Sequence, residues 1–180
     1  WLTTVRRGEL GKANWADINL DEANGGRDAV WTIPADKMKK RNEHKVPLIP
    51  RAVELLKEIR AMTLSSKQGW VFPSMRDPEK PIGKNGFYFQ FSRIMGNGDR
   101  TPHDIRATFS SWAYDLPIAQ SGGSLVIEKQ LAHKDKNMTR DTYNHAVMLP
   151  ERRRLLLAWS RHIEAVVNGH GSSSKGVVTQ

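Results

Sequence analysis

Cysteine is absent from this 180-residue sequence, which excludes a disulfide scaffold, a zinc site built on thiolates and catalysis by a thiol. Long apolar runs are absent too: the longest, Leu155 to Trp159, is far shorter than the roughly 20 residues of a membrane-spanning helix. Acidic residues are in the minority, with 19 Asp and Glu against 28 Lys and Arg and a net charge of +9. We therefore expect no membrane partner, and a surface that attracts nucleic acid or another polyanion.

The length and the 38% of hydrophobic residues suit one domain with a real core. The last part of the chain, 168–180, is rich in Gly and Ser and is predicted to be a disordered tail. The sequence opens at Trp1 and enters a charged, helix-like segment almost at once. We interpret it as a piece of a longer protein, in which residues 1–167 form the folded domain.

Hydrophobic periodicity predicts a short helix over 8–17, followed by a small sheet. Alternating apolar and polar residues predict its three strands at 18–20, 29–34 and 44–49. The segment 37–43 joins the last two strands as a strongly basic hairpin tip.

Helices dominate the remainder of the chain. Thr101 and Pro102 form a helix start, since a hydroxyl cap followed by proline in the first turn favours initiation. The helical segments are predicted at 51–62, 85–95, 102–113, 125–132, 138–147 and 150–167. The fold class predicted is α+β and mostly α-helical, with a three-stranded antiparallel sheet near the N-terminus packed on a helical bundle.

Several residues could carry chemistry, although each has an ordinary structural explanation. Arg6 precedes a helix, and His103 and Arg106 share a helical face at a spacing that is common by chance. His133 lies where a helix ends, and Tyr143 lies in an ordinary helical stretch. Taken singly, none of them identifies a site.

Taken together, these residues suit cleavage of a phosphodiester by a tyrosine. Arginine forks match the non-bridging oxygens of a phosphate and stabilise the charge that develops there. The histidines, together with Lys39 of the basic hairpin tip, can move protons to and from the tyrosine and the leaving hydroxyl. No cluster of carboxylates is needed, so we expect neither a metal nor another cofactor.

In this order and spacing, the sequence resembles the tyrosine recombinases, or lambda-type integrases, and most closely those of satellite phages and genomic islands. The matching stretches are VRRGEL (5–10), WTIPADKMKKRNEHKVPL (31–48), TPHDIRATFSSWA (101–113), IEKQLAH (127–133), YNHA (143–146) and ERRRLLLAW (151–159). Relatives carry one or two N-terminal DNA-binding domains, and we expect residues 1–167 to be the catalytic domain without them. The stretch around 120–123 is a few residues longer than in relatives, and we expect it at the surface.

The resemblance implies a role for each matching residue. Arg6 and Arg106 correspond to the phosphate-binding arginines, His103 and His133 to the two histidines, and Tyr143 to the nucleophile. Lys39 corresponds to the hairpin lysine that protonates the leaving 5′-hydroxyl, with Lys37 and Lys40 as alternatives, while Arg7 replaces Arg6 if the register differs by one. The residues expected to contact DNA are Arg7, Lys37, Lys40 and Arg41.

The function implied is integration and excision of a prophage or genomic island. Strand cleavage would proceed through a 3′-phosphotyrosyl intermediate that conserves the bond energy, without ATP. The implied partners are double-stranded DNA attachment sites, three further copies of the full-length protein, and accessory DNA-bending proteins, in the bacterial cytoplasm at the nucleoid. The helical segment 151–167 either passes to a neighbouring copy or packs on its own domain.

Three alternatives remain open at this point. A type IB topoisomerase uses similar chemistry, although the sequences VRRGEL (5–10) and IEKQLAH (127–133) favour an integrase. A non-catalytic DNA-binding module of the same fold is the second alternative, and an unrelated basic helical protein with accidental motifs is the third.

Overall fold

A computed structural model describes residues 1–38, 42–63, 67–96, 101–117, 119, 123–133 and 148–169. Within them, the helices and strands in chain order are α1 (Arg7–Leu10), β1 (Ile18–Asn19), β2 (Val30–Ile33), β3 (His44–Pro47), α2 (Pro50–Thr63), α3 (Lys84–Met95), α4 (Pro102–Tyr114), α5 (Ser124–Gln130) and α6 (Leu149–Val167). Short 3₁₀ turns lie at Trp15–Asp17, Glu22–Asn24 and Ala35–Lys37. The predicted mixed fold, mostly helical with three antiparallel strands, is confirmed.

The sheet has the order β1-β2-β3, with both pairs antiparallel. Trp31 lies opposite Ile18 on one side and Val46 on the other, and Ile33 pairs with His44. Because side chains alternate between the two faces of a strand, Trp31, Ile33 and Val46 enter the core together. His44 is a buried polar residue on these strands, and it lies near the candidate site described below.

The start of α4 follows the sequence cues closely. Thr101 is extended, and its hydroxyl accepts a hydrogen bond from the backbone N–H of His103 at 3.2 Å, while Pro102 occupies the first turn. The Asp104 carboxylate accepts from the backbone N–H of Thr101 at 2.5 Å. This reciprocal capping box satisfies two donors and fixes where the helix begins.

The helix predicted over 8–17 is wrong in extent, because α1 ends at Leu10. Beyond that point the backbone pairs with a distant segment: the carbonyl of Ala13 accepts from the N–H of Val71 at 3.0 Å. The side chain of Asn14 then caps the 3₁₀ turn that follows. A long-range backbone pairing therefore replaces the local helical hydrogen bonds that the periodicity predicts.

The core lies where α4, α5 and α6 meet one another and the sheet. Its fully buried apolar side chains from these helices are Phe109, Ala113, Ile127, Leu156 and Trp159. The rings of Phe109 and Trp159 meet edge to face, with centroids 5.5 Å apart. The apolar stripe of α6 is thus packed on its own domain in this structure.

The remaining helix predictions are confirmed with end shifts of one or two residues, as for 51–62, 85–95, 125–132 and 150–167. The helix predicted at 138–147 lies outside the described residues, and so does the tail beyond 169. Among the helices that the structure describes, none has the length and apolarity required to cross a bilayer.

One arginine of α6 ties that helix to the sheet. The guanidinium of Arg153 donates to the main-chain carbonyls of Leu48 and Ala29, the latter at 2.9 Å. Both of these residues are fully buried, and the N–H of Leu48 also donates to the carbonyl of Ala29. The side chain of Arg153 therefore satisfies main-chain acceptors just outside the paired ends of β2 and β3.

Replacing Arg153 with Met should lower the free energy of unfolding by about 1–3 kcal/mol, since the carbonyl of Leu48 loses a donor while the apolar stem is kept. Urea denaturation measures the difference. The matched control is Arg161→Met, on the exposed side of the same helix, which should be close to neutral. Equal midpoints for the two variants would contradict this role of Arg153.

Candidate active site

Arg6 is held by the short helix that it precedes. It occupies the N-cap of α1, and the buried carboxylate of Glu9 accepts from its backbone N–H at 2.9 Å and from its guanidinium Nη1 at 3.0 Å. Its Nη2 makes a longer contact, 3.5 Å, with the carbonyl of Ala132. The first arginine is thereby oriented through both its backbone and its side chain.

Arg106 is buried, with 7% of its surface exposed. Its Nη1 donates to the carbonyl of Thr4 at 2.7 Å, and its Nη2 donates to the carbonyl of Leu131. Burial lowers the pKa of Arg106 to about 10, with repulsion from Arg6 as the second cause and attraction from Glu9 opposing it. The guanidinium therefore keeps its charge at neutral pH.

A tight turn after α5 connects both arginines to His133. The N–H of His133 donates to the carbonyl of Glu128 at 3.0 Å, and the N–H of Ala132 donates to that of Lys129 at 3.2 Å. With Ala132 at φ 46°, this is a Schellman motif that has alanine where glycine is usual. The turn aims the carbonyls of Leu131 and Ala132 at the arginines.

The N-terminal segment, α3 and the start of α4 meet at a cleft of about 380 Å³, which we call the arginine cleft. Its lining residues are Val5, Arg6, Arg7, Gly8, Tyr88, Thr101, His103 and Arg106. His103 and Arg7 are exposed at the cleft, whereas Arg106 lies deeper. The structure therefore brings Arg6 together with His103 and Arg106, which lie about 100 residues later in the sequence, with Arg7 beside them.

Behind the cleft lies a buried polar network. The side-chain oxygen of Gln130 accepts from Nε of Arg152 at 3.0 Å, and its nitrogen donates to the carbonyl of Thr3 at 3.0 Å and the hydroxyl of Thr4 at 3.1 Å. Gln130 and Arg152 are almost completely buried. The network joins α6 to the N-terminal segment through the end of α5.

His44 lies near this network and was not singled out by sequence reasoning. Burial lowers its pKa to about 3, and the positive charges of Arg152, Arg106 and Arg6 act in the same direction. A hydrogen bond to the backbone of Gln130 opposes them. The imidazole is therefore neutral in the folded protein at physiological pH.

Of the lysines and the tyrosine predicted for the site, the structure describes only Lys37. Lys37 lies 2.5 Å from the carboxylate of Asp17, with its ammonium 5.8 Å from the centre of the Trp70 ring. It also lines a larger cleft of about 620 Å³ that shares Arg6 with the arginine cleft. The predicted residues Lys39, Lys40, Arg41 and Tyr143 lie outside the described residues.

Sequence reasoning also missed the carboxylates that position the basic residues. Glu9 follows Arg6 by three residues, the spacing of a capping box, and that spacing could have revealed the pair. Glu128 precedes His133 by five residues, the separation that a Schellman turn closes. In the part of the chain that the structure describes, no group of three His, Asp or Glu residues is placed to hold a metal.

Chemically, the arginine cleft suits an oxyanion. Two guanidinium groups are fixed before any ligand arrives, and fixed donors stabilise developing negative charge without reorganisation. His103 adds an exposed imidazole at the same cleft. A phosphodiester, with two non-bridging oxygens, fits this set of donors.

Residues 1–149 match the model of the phage integrase family. The chain is 35% identical over 173 residues to the prophage integrase IntZ of Escherichia coli K12, covering 95% of this chain and 39% of that protein. It is 29% identical over 168 residues to the prophage integrase IntA of the same strain, covering 93% of this chain and 38% of IntA. It thus spans about two fifths of the length of these relatives.

The fold is similar to that of the XerA recombinase, with a TM-score of 0.54 at 20% sequence identity. This likeness covers 79% of the present chain and 52% of the XerA chain.

Replacing Ala132 with Gly should raise the free energy of unfolding by about 1 kcal/mol, because a side chain at positive φ is strained and glycine is not. The matched control is Ala107→Gly on the exposed face of α4, which should lower it by about 1 kcal/mol. Chemical denaturation distinguishes the two signs. Destabilisation by both variants would contradict the strain assigned to the turn.

Protonation of His44 should destabilise the fold in mild acid. Its folded pKa, about 3, lies below the unfolded value of about 6.5, so its full contribution is present above pH 6.5 and is lost as the pH falls towards 3. Between pH 7 and 5, the free energy of unfolding should fall by about 2 kcal/mol more in the parent than in His44→Gln. Denaturation at the two pH values tests this, with exposed His103→Gln as control. Equal losses in the parent and His44→Gln would refute it.

Proposed function

The chain belongs to the phage integrase family, and from that premise we propose that it is the catalytic domain of a site-specific recombinase that cleaves and rejoins DNA strands. The observation that carries this proposal is the pairing of Arg6 and Arg106 at one cleft, each held by main-chain carbonyls or a buried carboxylate. A cleft with two preset guanidinium groups has the chemistry of a phosphate site.

In the proposed reaction, the scissile phosphate occupies the arginine cleft. Arg6 and Arg106 bind its non-bridging oxygens and stabilise the extra charge of the transition state. The hydrogen bonds to Thr4 and Leu131 fix the guanidinium of Arg106, so little orientation is lost when the phosphate binds. His103 and His133 contribute hydrogen bonds and proton transfer at the phosphate.

We assign the nucleophile to Tyr143. Its oxygen bonds to the scissile phosphorus and gives its proton to one of the two histidines, while the bond from phosphorus to the 5′-oxygen breaks and leaves a 3′-phosphotyrosyl link. Lys39 supplies the proton to the 5′-oxygen in this proposal. Lys37 is the weaker alternative, because its ammonium is already engaged by Asp17 and the ring of Trp70. Attack by a 5′-hydroxyl of a second strand then reverses the step and releases Tyr143, so the number of phosphodiester bonds is conserved.

The excess of positive charge supplies a sequence-independent attraction to double-stranded DNA. Exposed Arg7, at the arginine cleft, is a candidate backbone contact, with Lys40 and Arg41 on the basic hairpin tip. We propose that the full-length protein acts at the bacterial nucleoid as a tetramer on attachment sites, assisted by DNA-bending proteins. Leu156 and Trp159 of α6 are buried in the chain's own core. If neighbouring copies exchange a segment, we therefore expect it to lie outside this apolar stripe of α6.

Covalent trapping on nicked DNA tests the proposed chemistry. With EDTA present, the parent should give a protein–DNA band on a denaturing gel, and Tyr143→Phe should give none while binding DNA within about twofold, since only a hydroxyl is lost. Arg106→Lys keeps a cation and should lower the rate of trapping about 100- to 1,000-fold, by analogy with the loss of one oxyanion donor.

The same assay on the full-length protein shows whether residues outside this chain are needed for trapping. A band that persists in Tyr143→Phe would exclude Tyr143 as the nucleophile. Absence of any band from the full-length parent, with DNA binding intact, would refute the strand-cleavage function.

A further inference from the structure

The Schellman turn after α5 brings the side chains of His133 and Glu128 together. In this motif the second residue beyond the helix cap packs over a residue of the last turn, usually as an apolar contact. Here the contact is polar: Nδ1 of His133 lies 2.8 Å from Oε2 of Glu128. The other carboxylate oxygen, Oε1, accepts a hydrogen bond from the hydroxyl of Tyr114 at the end of α4.

This arrangement assigns the proton on the imidazole. An ionised carboxylate can only accept hydrogen bonds, so Nδ1 of His133 must carry hydrogen. In the neutral ring Nε2 then carries a lone pair, and it has no hydrogen-bond partner among the described residues. Glu128 also attracts Arg106 electrostatically, which places this carboxylate within range of the candidate site.

Exposure argues against a purely structural role for the pair. The side chains of His133 and Glu128 are 41% and 34% exposed, and ion pairs this accessible contribute little to stability. The backbone bonds of the turn already close it without either side chain. What the carboxylate adds is a fixed tautomer and a fixed ring orientation.

We propose that Glu128 is a positioning residue for His133. It holds hydrogen on Nδ1 and leaves the lone pair of Nε2 to accept a proton during the reaction at the scissile phosphate, while Tyr114 holds the carboxylate of Glu128 in place. This proposal rests on the strand-cleavage function proposed above. In this proposal Glu128 acts only through His133, in the way that a carboxylate often orients a functional histidine by a hydrogen bond to its second ring nitrogen.

Nitrogen-15 NMR of histidine-labelled protein reads the tautomer directly. At pH 8, the His133 signal, assigned with His133→Gln, should show a protonated Nδ1 in the parent. Glu128→Ala should move the population towards protonated Nε2, the form that free imidazole side chains prefer. Glu128→Gln should retain the parent pattern, since its amide oxygen can still accept. Glu58→Ala, an exposed glutamate on α2, is the matched control and should leave the spectrum unchanged.

The rate of covalent trapping then measures the consequence for the reaction. Glu128→Ala should lower it about 10- to 100-fold at unchanged DNA affinity, as removal of an outer partner of a functional histidine commonly does, and Glu128→Gln should restore most of it. Tyr114→Phe should have the smaller effect, because Glu128 keeps its bond to His133.

The outcomes separate the two proposals. An unchanged tautomer in Glu128→Ala refutes the positioning of His133, whatever the DNA assays show. A shifted tautomer with a parental trapping rate refutes its relevance to cleavage. Absence of trapping in the full-length parent refutes the proposed function, and the catalytic part of this inference falls with it, while the tautomer measurement stands separately.

Discussion

The burial of the Arg106 guanidinium is the constraint on which the site depends. A buried cation is costly unless its hydrogen bonds are satisfied, and here its partners are the carbonyls of Thr4 and Leu131, 102 and 25 residues away in sequence. Both carbonyls lie next to unusual backbone, with Thr4 itself at φ 53° and Ala132 at φ 46°. Packing of α4 therefore brings the N-terminal segment and the end of α5 together, so that the fold and the cleft form together.

The same turn also connects to the C-terminal helix. Gln130, one residue before Leu131, binds Arg152 of α6 and the N-terminal residues Thr3 and Thr4. The network therefore joins α5 and α6, the described helices on either side of residues 134–147. Apolar side chains alone could pack the helical core. The buried polar residues Gln130 and Arg152 occur there because they join α5, α6 and the N-terminal segment by hydrogen bonds.

Local sequence cues were sufficient for the elements but not for the contacts that build the site. Thr101 and Pro102 predicted the start of α4 because capping is a property of neighbouring residues. No spacing rule could bring Arg6 to Arg106 across 100 residues; only the resemblance to a family predicted it. The roles of His44, Gln130 and Arg152 were missed since their partners come from distant segments. The helix over 8–17 was overextended for the same reason, because a long-range pairing at Ala13 overrides local propensity.

The electrostatics of the cleft follow from this clustering. After burial, the charge of Arg6 is the next cause that lowers the pKa of Arg106, and the charges of Arg152, Arg106 and Arg6 add to burial in lowering the pKa of His44. The arginines therefore repel one another in the free protein. Glu9 and Glu128 act in the opposite direction at Arg106. A phosphodiester bound at the arginine cleft would add negative charge beside these arginines, and the greater charge of its transition state would be stabilised still further. Because these donors are held in place despite their mutual repulsion, they stabilise the transition state more than the bound substrate. Such a difference in stabilisation is what lowers the barrier of a catalysed reaction.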